Sequence, residues 1–323
     1  TSGGGAITGS IDANTGSISG SLRNGNTTAA LVGLSEGTTR NDRLVNLSSR
    51  LRVVSGDASR SVIAGFVVSG TATKQVLVRA IGPGLSGFGV SDALANPRLQ
   101  LYRGTTLVAE NDDWSNNADV SATAERVGAF RLGLGSRDSA LVVDLEPGAY
   151  TAVVTGVNGN GVALIEVYDA ASNTPISSQQ LVNISTRGFV DTGEGNLIAG
   201  FVVTGNAPKR VLIRGIGPSL TQFGVPGAVA DPALKLHAAG STSVIAQNDD
   251  WGLPQPVSAM VSAASAAEIT AASTATGAFP LAAGSKDAAI VITLMPGQYS
   301  AIVSGAGTST GAGLVEVYEI SNQ

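Results

Sequence analysis

The sequence predicts an all-β protein: an N-terminal β-hairpin segment (1–42) followed by two tandem β-sandwich, jelly-roll-like domains (43–175 and 176–323). Three observations carry that prediction. The chain contains two copies of one long pattern, each copy is made of short β-branched runs broken by Gly, Pro and Asn, and helix-forming stretches are scarce.

The repeat is the strongest of the three. "RLVNLSSR" (43–50) answers to "QLVNISTR" (180–187), and "SVIAGFVVSG" (61–70) to "NLIAGFVVTG" (196–205). "KQVLVRAIGPGLSGFGV" (74–90) answers to "KRVLIRGIGPSLTQFGV" (209–225), and "ENDDW" (110–114) to "QNDDW" (247–251). "EPGAYTAVVTG" and "MPGQYSAIVSG" follow, and each copy closes on a "VEVY"-like run, "LIEVYD" (164–169) and "LVEVYE" (314–319). The spacing between copies widens between the tryptophans and Phe130/Phe279, so the second copy carries an insertion there. Gly and Pro punctuation resolves each copy into strands, in the first "SVIAGFVVSG", "KQVLVRAI", "RLQLY", "TLVAE", "SALVVDL", "AYTAVVTG" and "ALIEVYD". In "KQVLVRAI" the two-residue period puts Val76, Val78 and Ala80 on one face and Leu77, Arg79 and Ile81 on the other. "EPGAY" and "MPGQY" read as Pro-Gly turns entering a strand.

Two stretches favour helix. Residues 256–276, Ala-rich with a proline at a plausible first turn, form the longer, and 117–127 is its shorter counterpart, which makes the helix an embellishment at the insertion. Before the repeats, "AITGSIDANTGSISGSL" (6–22) alternates on both sides of Ala13-Asn14-Thr15-Gly16 and predicts a hairpin. A lone hairpin is marginal in water, so this one must join a sheet of its own chain or of a neighbouring subunit. Ile7, Ile11, Ile18 and Leu22 are its candidate assembly residues.

Composition narrows the function. In 323 residues there are 42 Gly and only 13% charged side chains, with a mean hydropathy of +0.23. No apolar run approaches the roughly 18–20 residues that cross a bilayer. The surface must therefore be built from Gly, Ala, Ser, Thr and Asn, which hydrate weakly and suit packing against other subunits. A net charge of −5 without a basic cluster argues against nucleic acid. The absence of Cys removes disulfides, thiolate nucleophiles and Cys-type zinc sites. Thr1 in place of Met is what a chain cleaved from a signal peptide, or a fragment, shows.

The paired motifs "RLVNLSSR", "IAGFVVSG", "VLVRAIGP", "NDDW", "GSRDSAL" and "PGAYTAVVTG" resemble an uncharacterised module of large exported proteins of environmental Gram-negative bacteria. The resemblance covers about residues 43–320. The second half of each copy is also similar to bacterial pre-peptidase C-terminal β-sandwich domains, non-catalytic accessories of secreted enzymes. In those domains the acidic loop is structural and sometimes metal-associated, and they accompany a catalytic domain that has no counterpart here.

Several chemistries compete for the NDDW loop. A Ser-His-Asp site would need the single histidine, His237, but the matching position of the first copy is Tyr102. Asp112 and Asp113 are neighbours, so on a strand they point to opposite faces, and in a turn one caps backbone N–H groups. Calcium is the alternative: Asn111, Asp112, Asp113 and Asp138, and in the second copy Asn248, Asp249, Asp250 and Asp287, offer the oxygens it prefers. Arg137 and Lys286 offer charge balance instead of a cation. Arg79 and Arg214, each in an apolar strand, are expected to form structural ion pairs with a carboxylate, with the NDD loop as the nearest source. Trp114 and Trp251 read either as lids on the core or as platforms for a polysaccharide.

These readings converge on a non-enzymatic extracellular protein exported by a bacterium, a self-assembling subunit of a surface filament, sheath or matrix. Its expected partner is itself, through N-terminal strand addition, and it needs no cofactor unless the loops hold calcium. The alternative is a non-catalytic carbohydrate-binding or targeting module of a secreted enzyme.

Overall fold

The computed structural model describes residues 6–11, 17–24, 27–34, 43–170, 181–191, 195–256 and 263–320. The N-terminal segment folds as β1 (Ala6–Ile11), β2 (Ser17–Asn24) and β3 (Thr27–Leu34). The expected hairpin is present as the β1–β2 pair, with Ile7 opposite Leu22 and Ile11 opposite Ile18. Its turn, residues 13–16, lies outside the described residues. A third strand, unforeseen from the sequence, extends the hairpin into an antiparallel sheet of its own.

In the first repeat follow β4 (Arg43–Val53), β5 (Val62–Val68), β6 (Lys74–Ile81), β7 (Pro97–Arg103), β8 (Thr106–Asn111), helix α1 (Ala118–Val127), β9 (Ser139–Leu145), β10 (Gly148–Gly156) and β11 (Gly161–Asp169). The second repeats that order: β12 (Leu181–Val190), β13 (Leu197–Thr204), β14 (Lys209–Ile216), β15 (Pro232–Ala238), β16 (Val244–Asn248), α2 (Ala266–Thr276), β17 (Ala288–Leu294), β18 (Gly297–Gly305) and β19 (Gly311–Glu319). Each copy thus has one strand more than its Gly/Pro punctuation suggests. The addition is the copy's first strand, β4 or β12, whose Ser, Asn and Arg residues hide its alternation. In β4, Leu47, Ser49, Leu51 and Val53 are buried, whereas Arg50 and Arg52 are exposed.

Numbered within a copy, the strands stack as 1-8-3-6 in one layer and 2-7-4-5 in the other, the strand order of a jelly roll. The two copies do not stop at their own edges. One eight-stranded sheet runs β16-β15-β18-β13-β4-β11-β6-β9 and the other β17-β14-β19-β12-β5-β10-β7-β8, so both pass from one repeat into the other. The crossings are β4–β13 and β5–β12, the first strand of each copy against the second of the other. Their registers match: Arg50 lies opposite Ile198 as Arg187 lies opposite Ile63, and each pair carries one register shift near its end. The repeats are therefore related by a pseudo-two-fold axis and share one core, in which Leu47, Phe66, Val78 and Ile165 join Ile184, Phe201, Ile213 and Val317.

The alternation read from β6 holds. Val76, Val78 and Ala80 enter that common core, and Leu77 faces outward into a second cluster with Trp114, Val120 and Ala124 beneath α1. Leu212, Trp251, Ile269 and Ala272 form the matching cluster under α2. Because β6 and β14 belong to different sheets, the two helices cover opposite outer faces. The helix is thus part of both copies and not an embellishment. It starts where a cap permits: the Asn117 side chain accepts from the backbone N–H groups of Asp119 and Val120, and Ser265 forms a capping box with Glu268. That box places the start of α2 at Ala266, ten residues beyond the proline from which the sequence suggested a helix, and the extra residues of the second copy lie between Trp251 and α2.

A shared core and shared sheets make the repeats one cooperative unit. Each repeat owns one buried tryptophan, so single-tryptophan variants (Trp251→Phe and Trp114→Phe) report on the two halves separately. Their urea midpoints, read by fluorescence and referred to circular dichroism of the same variant, are expected to show one transition for the whole sandwich. Two separated transitions would mean independent domains.

Candidate functional site

The NDDW corner begins where β8 ends. The Asn111 side-chain Oδ1 accepts from the backbone N–H of Ala140 (2.9 Å) on β9, and its Nδ2 donates to the backbone carbonyl of Asp113 (3.0 Å). Asn248 repeats this with Ala289 (2.9 Å) and Asp250 (3.1 Å), and also donates to the carbonyl of Leu253 (3.1 Å). The asparagine thus closes the turn and ties it to the neighbouring sheet. The indole of Trp114 is 4% exposed and that of Trp251 8%. Trp114 Nε1 donates to Gly133 O (3.2 Å) and Ser136 Oγ (3.1 Å), and Trp251 Nε1 to Ala282 O (3.1 Å). With their faces in the helix clusters and their N–H groups used, the rings offer no sugar platform. They are lids on the core, which corrects the platform reading of these two residues.

Asp138 and Asp287 are fully buried. Asp138 Oδ1 accepts from the backbone N–H of Gly82 (2.8 Å) and Gly84 (3.2 Å), and Oδ2 from Ser136 Oγ (2.7 Å). Asp287 accepts from Gly217 N (2.8 Å), Ser219 N (3.3 Å), Ser219 Oγ (2.5 Å) and Ser285 Oγ (2.7 Å). Each carboxylate thereby caps the short 3-10 turn that opens at "GPGL" or "GPSL". The glycine before the proline is required sterically: a Cβ on Gly82 would lie 2.0 Å from the Leu94 carbonyl oxygen, and one on Gly217 2.1 Å from that of Val229. The aspartate's own backbone carbonyl accepts from the backbone N–H of the tryptophan at 2.8 Å in both copies. This network joins the NDDW corner, the IGP turn and the GS(R/K)D loop.

The oxygens of Asp138 and Asp287 are committed to protein donors, and Asp112 and Asp113 are exposed. Among the described residues no three His, Cys, Asp or Glu side chains converge so as to hold a metal ion. In the second copy, Asp250 pairs with Lys286 (3.0 Å), the charge balance that the sequence offered in place of a cation. Asp249 is held above the ordinary carboxylate value, first by burial and then by the charges of Asp231 and Asp250, with Lys286 opposing.

Arg79 and Arg214, both fully buried, form the expected ion pairs, but not with the NDD loop. Their partners are Glu166 and Glu316 of the "VEVY" strands, directly opposite them in register. Arg79 Nε donates to Glu166 Oε2 at 2.9 Å and Nη2 to the same oxygen, while Nη1 reaches the Phe130 carbonyl at 2.6 Å. Arg214 does likewise with Glu316 (2.8 and 2.5 Å) and Phe279 O (2.6 Å). Each guanidinium lies under a phenylalanine ring, 4.5 Å from Phe130 and 4.2 Å from Phe279. Tyr168 and Tyr318 donate to the second glutamate oxygen at 2.8 Å, and burial, then the glutamate charge, pushes their hydroxyls well above the usual tyrosine value. A second pair lies at the strand end, Lys74–Asp169 (2.9 Å) and Lys209–Glu319 (2.6 Å). The sequence carried the signal for all of these, a charged residue recurring in the same apolar strand of each copy.

His237 is the next-to-last residue of β15, and its buried Nδ1 meets no hydrogen-bond partner among the described residues, so no carboxylate orients it as one would in a triad. A small groove of about 20 Å³ between β16 and β17 is lined by Gln247, Gln255, Ile290 and Ile292 among others and by no titratable side chain. No known family model matches the chain, and no curated protein matches it. A solved structure described as PNGF-II aligns over 90% of this chain at 11% identity with a TM-score of 0.20, too low to carry an argument. The chain spans 63% of that structure's length. The class of protein that fold and corner define is a tandem jelly roll whose buried charged residues serve as internal ties.

Two variants test that assignment. Glu166→Gln leaves Arg79 buried without its counter-charge and is expected to cost about 3–5 kcal/mol in urea unfolding, whereas Arg79→Met with Glu166→Leu is expected to recover most of it. Asp249→Asn is expected to raise stability at pH 7. A carboxyl whose folded pKa is raised binds its proton more tightly in the folded state, so its contribution is present at low pH and lost as pH rises through the folded value. The gain should therefore shrink as pH falls toward the ordinary 3.8. A gain that does not change between pH 7 and pH 4 would contradict the assignment.

Proposed function

We propose that this protein is an extracellular structural subunit, exported by a bacterium, that polymerises with copies of itself into a surface filament, sheath or matrix. The observation that carries this reading is how the chain is built: two jelly rolls extend each other's sheets by strand-edge pairing, and among the described residues the sandwich ends again in strands with an open edge. Two further features support it. The conspicuous acids and arginines are consumed in internal ties, and low charge leaves little electrostatic repulsion between copies. In this reading the NDDW corner needs no metal, and the N-terminal sheet, which among the described residues pairs with neither large sheet, is a strand donor to a neighbouring subunit.

Negative-stain microscopy and sedimentation of the full chain are expected to show extended assemblies, shorter and less ordered once residues 1–35 are deleted. A full chain that stays monodisperse and monomeric at high concentration would refute the proposal.

A further inference from the structure

The four terminal strands of the sandwich, β8 and β9 at one end and β16 and β17 at the other, are unusual in what they lack. Among the described residues each pairs only with its inner neighbour, so one edge of each is open. Soluble proteins guard such edges with Lys or Pro, or with inward-pointing charges. "TLVAEN", "SALVVDL", "VIAQN" and "AAIVITL" contain no Lys, Arg or Pro. Their only charges are Glu110, held by Arg98 at 2.6 Å, and Asp144. Apolar side chains lie beside these edges: Leu107 and Val108 are each 44% exposed on β8, and Met295 is 49% exposed just after β17. At that second end a small groove between β16 and β17 runs past Ala246, Ile290 and Ile292.

We infer that these ends are complementary and that copies join head to tail, β8 of one beside β17 of the next and β9 beside β16, so that both sheets continue unbroken. This inference rests on the self-assembly proposed above and names its contact. Strand direction permits it. Each sheet has eight strands alternating in direction, so its first and last strands run opposite ways. The last strand of one copy therefore meets the first of the next antiparallel, as every neighbouring strand pair in the sheets already does. The pairing also continues the junction inside the chain. There, the first strand of one jelly roll meets the second of the other, twice. At the ends, the fifth strand of one would meet the sixth of the other, twice, about an equivalent axis. Backbone hydrogen bonds along both layers supply affinity, and the sheets' right-handed twist turns the stack into a helical filament.

The chain has no cysteine, which makes the test clean. Leu107→Cys and Thr293→Cys place single thiols at exposed positions, on β8 and β17, at opposite ends of one sheet. The full-length variants are mixed and treated with a short bis-maleimide. The expected product is the mixed dimer, several-fold in excess of either variant's own dimer, and Leu107→Lys is expected to abolish assembly while leaving the circular-dichroism spectrum unchanged. Assemblies that form without a 107–293 cross-link would overturn this contact and leave the structural reading standing, with the N-terminal sheet as the joint. Leu107→Cys linking mainly to itself would replace the head-to-tail stack by a closed dimer and overturn it too. A wild-type chain that forms no assembly would defeat both.

Discussion

The pairing of β4 with β13 and of β5 with β12 is the constraint on which the rest of the molecule depends. Without it each repeat would be a small jelly roll with open edges on both sides. With it, two edges per copy vanish and the inner faces merge into one core. The pairing asks for close approach. A Cβ on Gly65 would lie 2.6 Å from Ser185 Oγ, and one on Gly200 2.5 Å from Ser48 Oγ, so the glycine of "AGFVV" and the serine of the strand that faces it across the junction are fitted as a pair in both crossings. The repeated motifs thus record the junction as much as the individual fold.

The buried charges follow from that architecture. An arginine on the outer face of a sheet is removed from water by the segment that follows each helix, and its desolvation is offset by a glutamate opposite, a carbonyl above and a ring across its plane. The pair contributes little net stability, but its requirements are exacting, so it fixes where Phe130 and Phe279 lie. Asp138 and Asp287 act similarly at the other side of the corner, fixing the IGP turn through backbone donors. Both devices convert polar residues into positional information for segments that have little hydrophobic pattern of their own.

Much of this was legible in the sequence. The repeat, the all-β texture, the alternation of β6 and the corner role of "NDDW" followed from residue periodicity and turn chemistry. The first strand of each copy was not, because Ser48, Ser49, Arg50 and Arg52 dilute its pattern and one of its two partner strands lies on the other repeat, a contact that no local signal encodes. The partner of Arg79 was misplaced for a related reason: proximity in sequence favoured the NDD loop, whereas strand register, invisible in a single sequence, sets Glu166 opposite it. Trp114 could be read as lid or platform until α1 covered it, and the start of α2 was masked by an Ala-rich approach whose cap, Ser265, sits well inside it.

Amide hydrogen exchange across the junction tests the central claim most directly. If the repeats share their sheets, the amides of β4 and β12 that face β13 and β5 exchange only on global unfolding, as slowly as those of β10 and β18 within each copy. Junction amides that exchange orders of magnitude faster than those internal strands would mean that the repeats touch without sharing sheets.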